Sequence, residues 1–216
     1  MFGYFTQAQH AISGTFSPAK DYSWLIAYRL KPGTQVYVAD TAINDGEFVL
    51  EIPEKAEPGT YRLVYAIPQE EFYFDVIYNG KEGIKLTFET DKGPMFTESK
   101  ENILFSTYFK ETQEMERQLI AFYSSGSSNS DAFNKISQNY MAMQHSYLER
   151  TENLIAQEFI RANRSYIPPR YEPIEEYVKN RKNHYFDNFD FSNPVLQASG
   201  FLTDKIANYV FTALPL

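Results

Sequence analysis

From Ile12 to Phe88 the chain is cut into short runs rich in β-forming residues, each bounded by a turn signal. The runs are Ile12 to Phe16, Trp24 to Leu30, Gln35 to Val38, Glu47 to Ile52, Thr60 to Tyr65, Glu71 to Tyr78 and Ile84 to Phe88. Between them stand Pro18, Lys31-Pro-Gly33, Asn44-Asp-Gly46, Pro58-Gly59 and Asn79-Gly80. Asn-Gly and Asp-Gly supply the left-handed backbone that tight hairpins need, and Glu47 to Ile52 alternates with period two behind one of them. Seven or so short strands at this spacing predict an antiparallel sandwich.

Around Ser99 the period changes. Ser99-Lys-Glu-Asn102 resembles a helix start, and Ile103, Leu104, Tyr108, Met115, Leu119 and Phe122 then recur at helical spacing. The polar break Ser124 to Ser130 precedes a second long segment, capped by Asp131, that carries Phe133, Ile136, Tyr140, Met143, Tyr147, Leu154 and Phe159. Two long helices joined by a short loop predict an antiparallel hairpin. A third helix is expected over Ile174 to Phe186, and Asn193-Pro194 opens the last helical stretch. The expected fold is therefore α+β: an antiparallel β-sandwich over residues 10–98, then a helical subdomain of three or four helices over 99–216. Residues 1–9 read either as the remnant of an export signal or as a mobile arm.

Composition narrows the function. With 43% hydrophobic and 17% aromatic residues, the 216-residue chain can bury a core. A formal charge of -8 argues against nucleic-acid binding, which needs a basic field. No cysteine is present, so thiol redox chemistry, disulfides and thiolate zinc sites are excluded within this chain. No apolar run approaches the roughly 18 residues that a membrane-spanning helix needs.

Few residue patterns suggest chemistry. His184, Asp187 and Asp190 in His184-Tyr-Phe-Asp-Asn-Phe-Asp-Phe-Ser-Asn-Pro-Val-Leu196 have helical spacing for a metal set. The same stretch reads more simply as a joint, with Phe186, Phe189 and Phe191 anchoring a turn and Asp190, Ser192 or Asn193 capping the next helix. Ser17-Pro-Ala-Lys20 matches the S-x-x-K pattern of penicillin-binding enzymes, but it follows a strand, holds a proline and has no companion Lys-Thr-Gly. His145 and Glu149 are spaced as a solvent-facing pair, while Glu70-Glu71 and Glu175-Glu176 point apart on any regular element. Asn163-Arg-Ser165 has the glycosylation pattern without other support. Catalytic residues, metal ligands and cofactor-binding residues are accordingly not assigned. Tyr28, Tyr37, Tyr61, Tyr65, Tyr73 and Tyr78 are the candidate binding surface: exposed, they would stack on a glycan or dock a partner, and buried, they are core.

The order of the motifs resembles a known family. Ile12 to Phe16, Val38-Ala-Asp-Thr-Ala42 running into Asp45-Gly-Glu-Phe48, and Pro58 to Leu63 resemble a domain of unknown function in Bacteroidetes envelope proteins. The likeness continues through Ile84 to Asp91, Glu98 to Asn102, Tyr108, His184 to Asp190 and Phe201 to Tyr209. That domain stands ahead of thioredoxin-like thiol:disulfide interchange domains. The resemblance implies an exported protein of the periplasm or outer-membrane-associated envelope, serving as a non-catalytic accessory or scaffold module. Its partner would be a protein, either a thioredoxin-like domain or a second copy in a homodimer. The Cys-x-x-Cys site of the full-length relatives has no counterpart here, so no redox residue carries over. A stand-alone protein that binds a glycan or peptide through the aromatic sheet face is the alternative expectation.

Overall fold

The computed structural model describes residues 10–213, and the export-signal or mobile-arm reading of residues 1–9 falls outside them. The chain divides into two compact units, Met1–Ile103 and Leu104–Leu216.

The described residues of the first unit form eight strands: β1 (Ala11–Ser17), β2 (Trp24–Lys31), β3 (Thr34–Ala42), β4 (Glu47–Glu51), β5 (Gly59–Val64), β6 (Tyr73–Tyr78), β7 (Ile84–Glu89) and β8 (Gly93–Glu98). They form two four-stranded sheets, ordered β4-β1-β7-β8 and β3-β2-β5-β6. Every pairing is antiparallel except β1 with β7, which run parallel. The expected sandwich is present, with one strand more than the turn signals mark. That strand, β8, holds Pro94 and starts at Gly93, two residues that weaken strand patterning. It survives because it lies at a sheet edge, where a missing N–H costs no ladder bond.

Period-two alternation builds the core between the sheets. Ile12 and Phe16 face inward from β1, Leu25 and Ala27 from β2, Leu63 from β5, Phe74 and Val76 from β6, and Ile84, Leu86 and Phe88 from β7. Phe16 is 2% exposed and touches the rings of Tyr22, Phe48, Tyr65, Phe74 and Phe88. Gly14 has the same inward parity as Ile12 and Phe16, yet no side chain fits there. A Cβ would lie 1.9 Å from the Leu86 carbonyl oxygen, so glycine permits the close β1/β7 pairing.

The free edge of β6 is closed by a side chain. Asn102 is 1% exposed; its Oδ1 accepts from the Ile77 N–H at 2.8 Å and its Nδ2 donates to the Ile77 carbonyl at 2.7 Å. The amide thus imitates one residue of a neighbouring strand and satisfies a main-chain pair that would otherwise invite another chain. Ser99 holds the amide in place by accepting a second Nδ2 hydrogen bond at 2.8 Å.

Six helices follow among the described residues: α1 (Lys100–Ser124), α2 (Ser130–Arg150), α3 (Ala156–Asn163), α4 (Ile174–Asn183), α5 (Pro194–Gln197) and α6 (Phe201–Asn208). A short π-helical turn, Tyr209–Ala213, succeeds α6. The expected antiparallel hairpin is α1 with α2. Tyr108 meets Tyr147 at one end, and Phe122 meets Phe133 at the other. Its cap is Asn129 rather than Asp131, with Oδ1 accepting from the Ala132 N–H at 3.0 Å.

The helical unit is more divided than the three or four helices expected. The segment read as continuous from Asp131 to Phe159 breaks after Arg150, where the Thr151 hydroxyl donates to the Tyr147 carbonyl at 2.6 Å and Asn153 turns left-handed at φ 63°. Apolar spacing persists across this break, which is why periodicity alone runs through it. Helix α4 stops at Asn183 instead of Phe186, and the final stretch is two short helices.

Candidate functional site

The six candidate tyrosines separate onto two faces of one sheet. Tyr61 and Tyr78 are 0% and 4% exposed, pack edge to face at 5.4 Å and belong to the sandwich core. Their hydroxyls reach the rim: Tyr61 donates to the Glu57 carbonyl at 2.7 Å, and Tyr78 bonds His10 Nδ1 at 2.9 Å. Burial pushes the Tyr61 phenol up to about 12. Tyr65 packs against the same core beside Phe74 and Phe88. No ligand stacks on Tyr61 or Tyr78 without opening the sandwich, and Tyr65 is partly buried.

Tyr28, Tyr37 and Tyr73 stand on the opposite, outer face. Strand register makes Tyr37 the partner of Tyr28, Tyr28 the partner of Arg62, and Arg62 the partner of Asp75. These four residues therefore cross the sheet in one row. Tyr37 and Tyr28 meet edge to face at 6.3 Å. Arg62 donates through Nε and Nη2 to the two Asp75 oxygens, each at 2.9 Å, and its guanidinium lies 3.6 Å over the Tyr73 ring. Bidentate pairing and stacking fix the arginine on both sides. Tyr37 is 56% exposed and its hydroxyl donates to Asp40, which raises its pKa above the ordinary phenol value. The outcome is a preordered strip of aromatic rings, one cation and two carboxylates on a rigid sheet.

A second site, absent from the sequence reading, lies wholly within the helical unit. A cleft of about 460 Å³ opens between α1, the end of α4 and α6, with Phe109, Glu116, Arg181, Tyr185, Phe201 and Lys205 in its walls. On α1 it takes Phe109, Thr112, Gln113 and Glu116; on α6 it takes Phe201, Asp204, Lys205 and Asn208. Both sets fall at i, i+3, i+4 and i+7, so each helix turns one continuous face to the cleft. That shared spacing was the available signal. In the sequence, however, each face is mostly polar and resembles a solvated stripe.

Electrostatics in the cleft are uneven. Arg181 donates to Glu116 Oε1 at 3.1 Å, and the Ser165 hydroxyl donates to the same oxygen at 3.3 Å. Lys205 has no ion-pair partner among the described residues; its ammonium sits 4.4 Å from the centre of the Tyr185 ring. Burial lowers the Lys205 pKa to about 8, with Arg181 adding to the shift and Glu116 opposing it. Tyr185 is held by hydrogen bonds from its hydroxyl to the Lys205 carbonyl at 3.3 Å and Asn208 Oδ1 at 2.8 Å.

The remaining candidates take structural positions. His184 ends α4, stacks on Tyr166 at 4.8 Å and bonds Asp187 through Nδ1 at 2.6 Å. Asp190 accepts from the Ser192 N–H at 2.8 Å and from the Ser192 hydroxyl at 2.6 Å. Asn193 Oδ1 caps α5 by accepting from the Val195 N–H at 2.9 Å. Phe189 is buried between Phe186, Phe191 and Phe201, so the stretch is a joint between helices. Among the described residues, no group of three or more His, Asp or Glu side chains is placed to hold a metal. Ser17 closes β1 and Lys20 is exposed in the following turn, not on a helix. His145 and Glu149 form a 3.2 Å pair, both largely exposed. Glu70, Glu71, Glu175 and Glu176 are also exposed. No described helix is long and apolar enough to cross a membrane.

Comparison with protein-family models, curated proteins and solved structures finds no match to this chain.

Proposed function

We propose that this chain is a non-catalytic accessory module of the bacterial cell envelope, in the periplasm or at the outer membrane, that docks a thioredoxin-like thiol:disulfide interchange domain. The cross-strand strip Tyr37, Tyr28, Arg62 and Asp75, with Tyr73 beneath Arg62, carries this reading. Tyrosine and arginine are the residue types that dominate binding energy at protein interfaces. Here cross-strand neighbours and the Asp75 pair hold them in place, so docking loses little side-chain entropy. The order of sequence motifs from Ile12 to Tyr209, which resembles the region ahead of thioredoxin-like domains, points the same way. The thiols of such a partnership come from the partner, because this chain has no cysteine.

A second reading rests on Tyr37 itself. Its exposed ring beside the Asp40 carboxylate offers a stacking face and a hydrogen-bond acceptor, the chemistry that holds a sugar ring. The discriminating experiment measures binding of the chain to the thioredoxin-like proteins of its own genome and to a panel of soluble glycans. Docking predicts that one such protein binds, and that Tyr37→Ala and Arg62→Ala each weaken it at least about tenfold. Glycan binding lost in Tyr37→Ala, with no protein bound, would replace the docking reading by the sugar reading.

A further inference from the structure

We propose that the cleft between α1, α4 and α6 is a binding site for a small carboxylate that carries an apolar or aromatic group, with Lys205 receiving the carboxylate. The site is separate from the sheet strip and stands or falls independently of it.

Size comes first. A cleft of about 460 Å³ lies in the range of small-molecule sites, and its walls combine apolar rings with a few converging polar groups. Phe109 and Phe201 meet edge to face at 6.2 Å and make the apolar wall. Phe159 and Phe189 support Phe201 from behind at 5.6 and 6.3 Å, so this wall is fixed before any ligand arrives.

Charge selects the ligand class. The ionisable groups facing Lys205 are Glu116 from α1, Arg181 from α4, Tyr185 just beyond α4, and Asp204 on its own helix. Arg181 is already engaged with Glu116, whereas among the described residues Lys205 meets the face of a ring and no carboxylate within ion-pair distance. The Lys205 ammonium is partly buried, opens on the cleft and forms no ion pair among the described residues, so a carboxylate bound beside it exchanges water for a charge-assisted hydrogen bond. Two cations and two carboxylates line the cleft, a formal sum of zero, so a multiply charged anion gains little while a monoanion at Lys205 gains directly. The side-chain amides of Gln113, Asn163 and Asn208 provide further donors around it.

Binding should therefore depend on the proton at Lys205. Burial holds this amine near 8, and Tyr185 is pushed above the ordinary phenol value, so between pH 7 and 9.5 the Lys205 proton is the one that counts. A carboxylate that needs the ammonium loses affinity as pH rises through 8, by up to about tenfold per pH unit.

The test uses the full chain with 3-phenylpropanoate as probe, 3-phenylpropan-1-ol as its uncharged counterpart and inorganic phosphate as a competitor. Amide resonances followed by NMR report where binding occurs, and calorimetry reports affinity. The expected result is saturable shifts confined to residues around Phe109, Glu116, Phe201 and Lys205. Affinity should fall above pH 8, and Lys205→Met should weaken the acid at least about tenfold while leaving the alcohol unchanged. Phosphate should not compete. No saturable shift by about 10 mM 3-phenylpropanoate overturns the proposal. So do equal binding of acid and alcohol, displacement by phosphate, or full affinity retained in Lys205→Met. The spectrum of Lys205→Met shows directly whether that variant is folded.

Discussion

The two units bury their tyrosines in different company. In the sandwich, Tyr61 and Tyr78 sit in a core of aliphatic and phenylalanine side chains and send their hydroxyls to the rim, and Tyr65 packs against that core. In the helical unit, Tyr140 and Tyr147 are 1% exposed beside charged or polar groups: Tyr147 donates to Glu111 at 2.8 Å, while burial raises the Tyr140 pKa and Glu116 adds to it. Glu172, 9% exposed, accepts from Tyr166 at 2.7 Å and Asn180 at 3.1 Å. A dry core favours one rigid arrangement and suits a platform whose function lies on its outer face. An interior threaded with polar groups suits a unit that keeps a cleft with a shifted lysine. The contrast is in keeping with the two proposals, docking on the sheet and small-molecule binding in the helices.

The largest expected effects probe the cores. Phe16→Ala in the sandwich and Phe133→Ala in the helical unit, both almost wholly buried, should each cost about 3 to 5 kcal/mol in denaturant unfolding. If each variant broadens or splits the transition in its own unit's signals, the two units unfold separately; one common shift would merge them. Next, Asn102→Ala leaves the Ile77 N–H and carbonyl without their partner and should cost about 1 to 3 kcal/mol. Amide exchange at Ile77 is the local readout, and unchanged protection there would contradict the edge-closing role.

Lys205 tests the polar side of the comparison. Its folded pKa of about 8 lies below the reference value of 10.5, so the unfolded chain binds more protons between those values. Stability from this group therefore rises with pH from about 8 to 10.5 and is reduced below 8. Lys205→Met should raise the melting temperature at pH 7, and the advantage should vanish by about pH 10.5. A variant that melts lower at pH 7 would place the ammonium in a stabilising contact instead. The smallest effect belongs to the sheet strip. The Arg62 and Asp75 side chains are 20% and 29% exposed, so a double-mutant cycle should give a coupling of about 1 kcal/mol or less. Loss of binding without loss of stability is thus the signature expected of Arg62→Ala.

Sequence patterning was most informative where local chemistry decides structure. Asn44-Asp-Gly46 and Asn79-Gly80 mark real turns, and Asp45, Gly46 and Gly80 all adopt positive φ. Asn193-Pro194 starts a helix as its capping chemistry requires. It was least informative where partners distant in the chain decide. β8 depends on pairing with β7 rather than on its own propensity. The break after Arg150 depends on one threonine and one left-handed asparagine inside continuous apolar spacing. The tyrosine row splits because period two sends Tyr61 inward and Tyr28 outward, a parity fixed by the Arg29–Tyr61 and Tyr28–Arg62 register. The cleft joins residues nearly a hundred positions apart, so the matching faces of α1 and α6 carry meaning only once the helices are placed.

Photo-crosslinking from position 37 in the native cell tests the central claim most directly. A benzophenone side chain replaces the exposed Tyr37, with Ile120, exposed at 59% on α1, as the control position. The account predicts an adduct from position 37, and not from position 120, with a protein that carries a Cys-x-x-Cys thioredoxin-like domain. An adduct from position 120 alone, or a position-37 adduct with a protein lacking that domain, would contradict it.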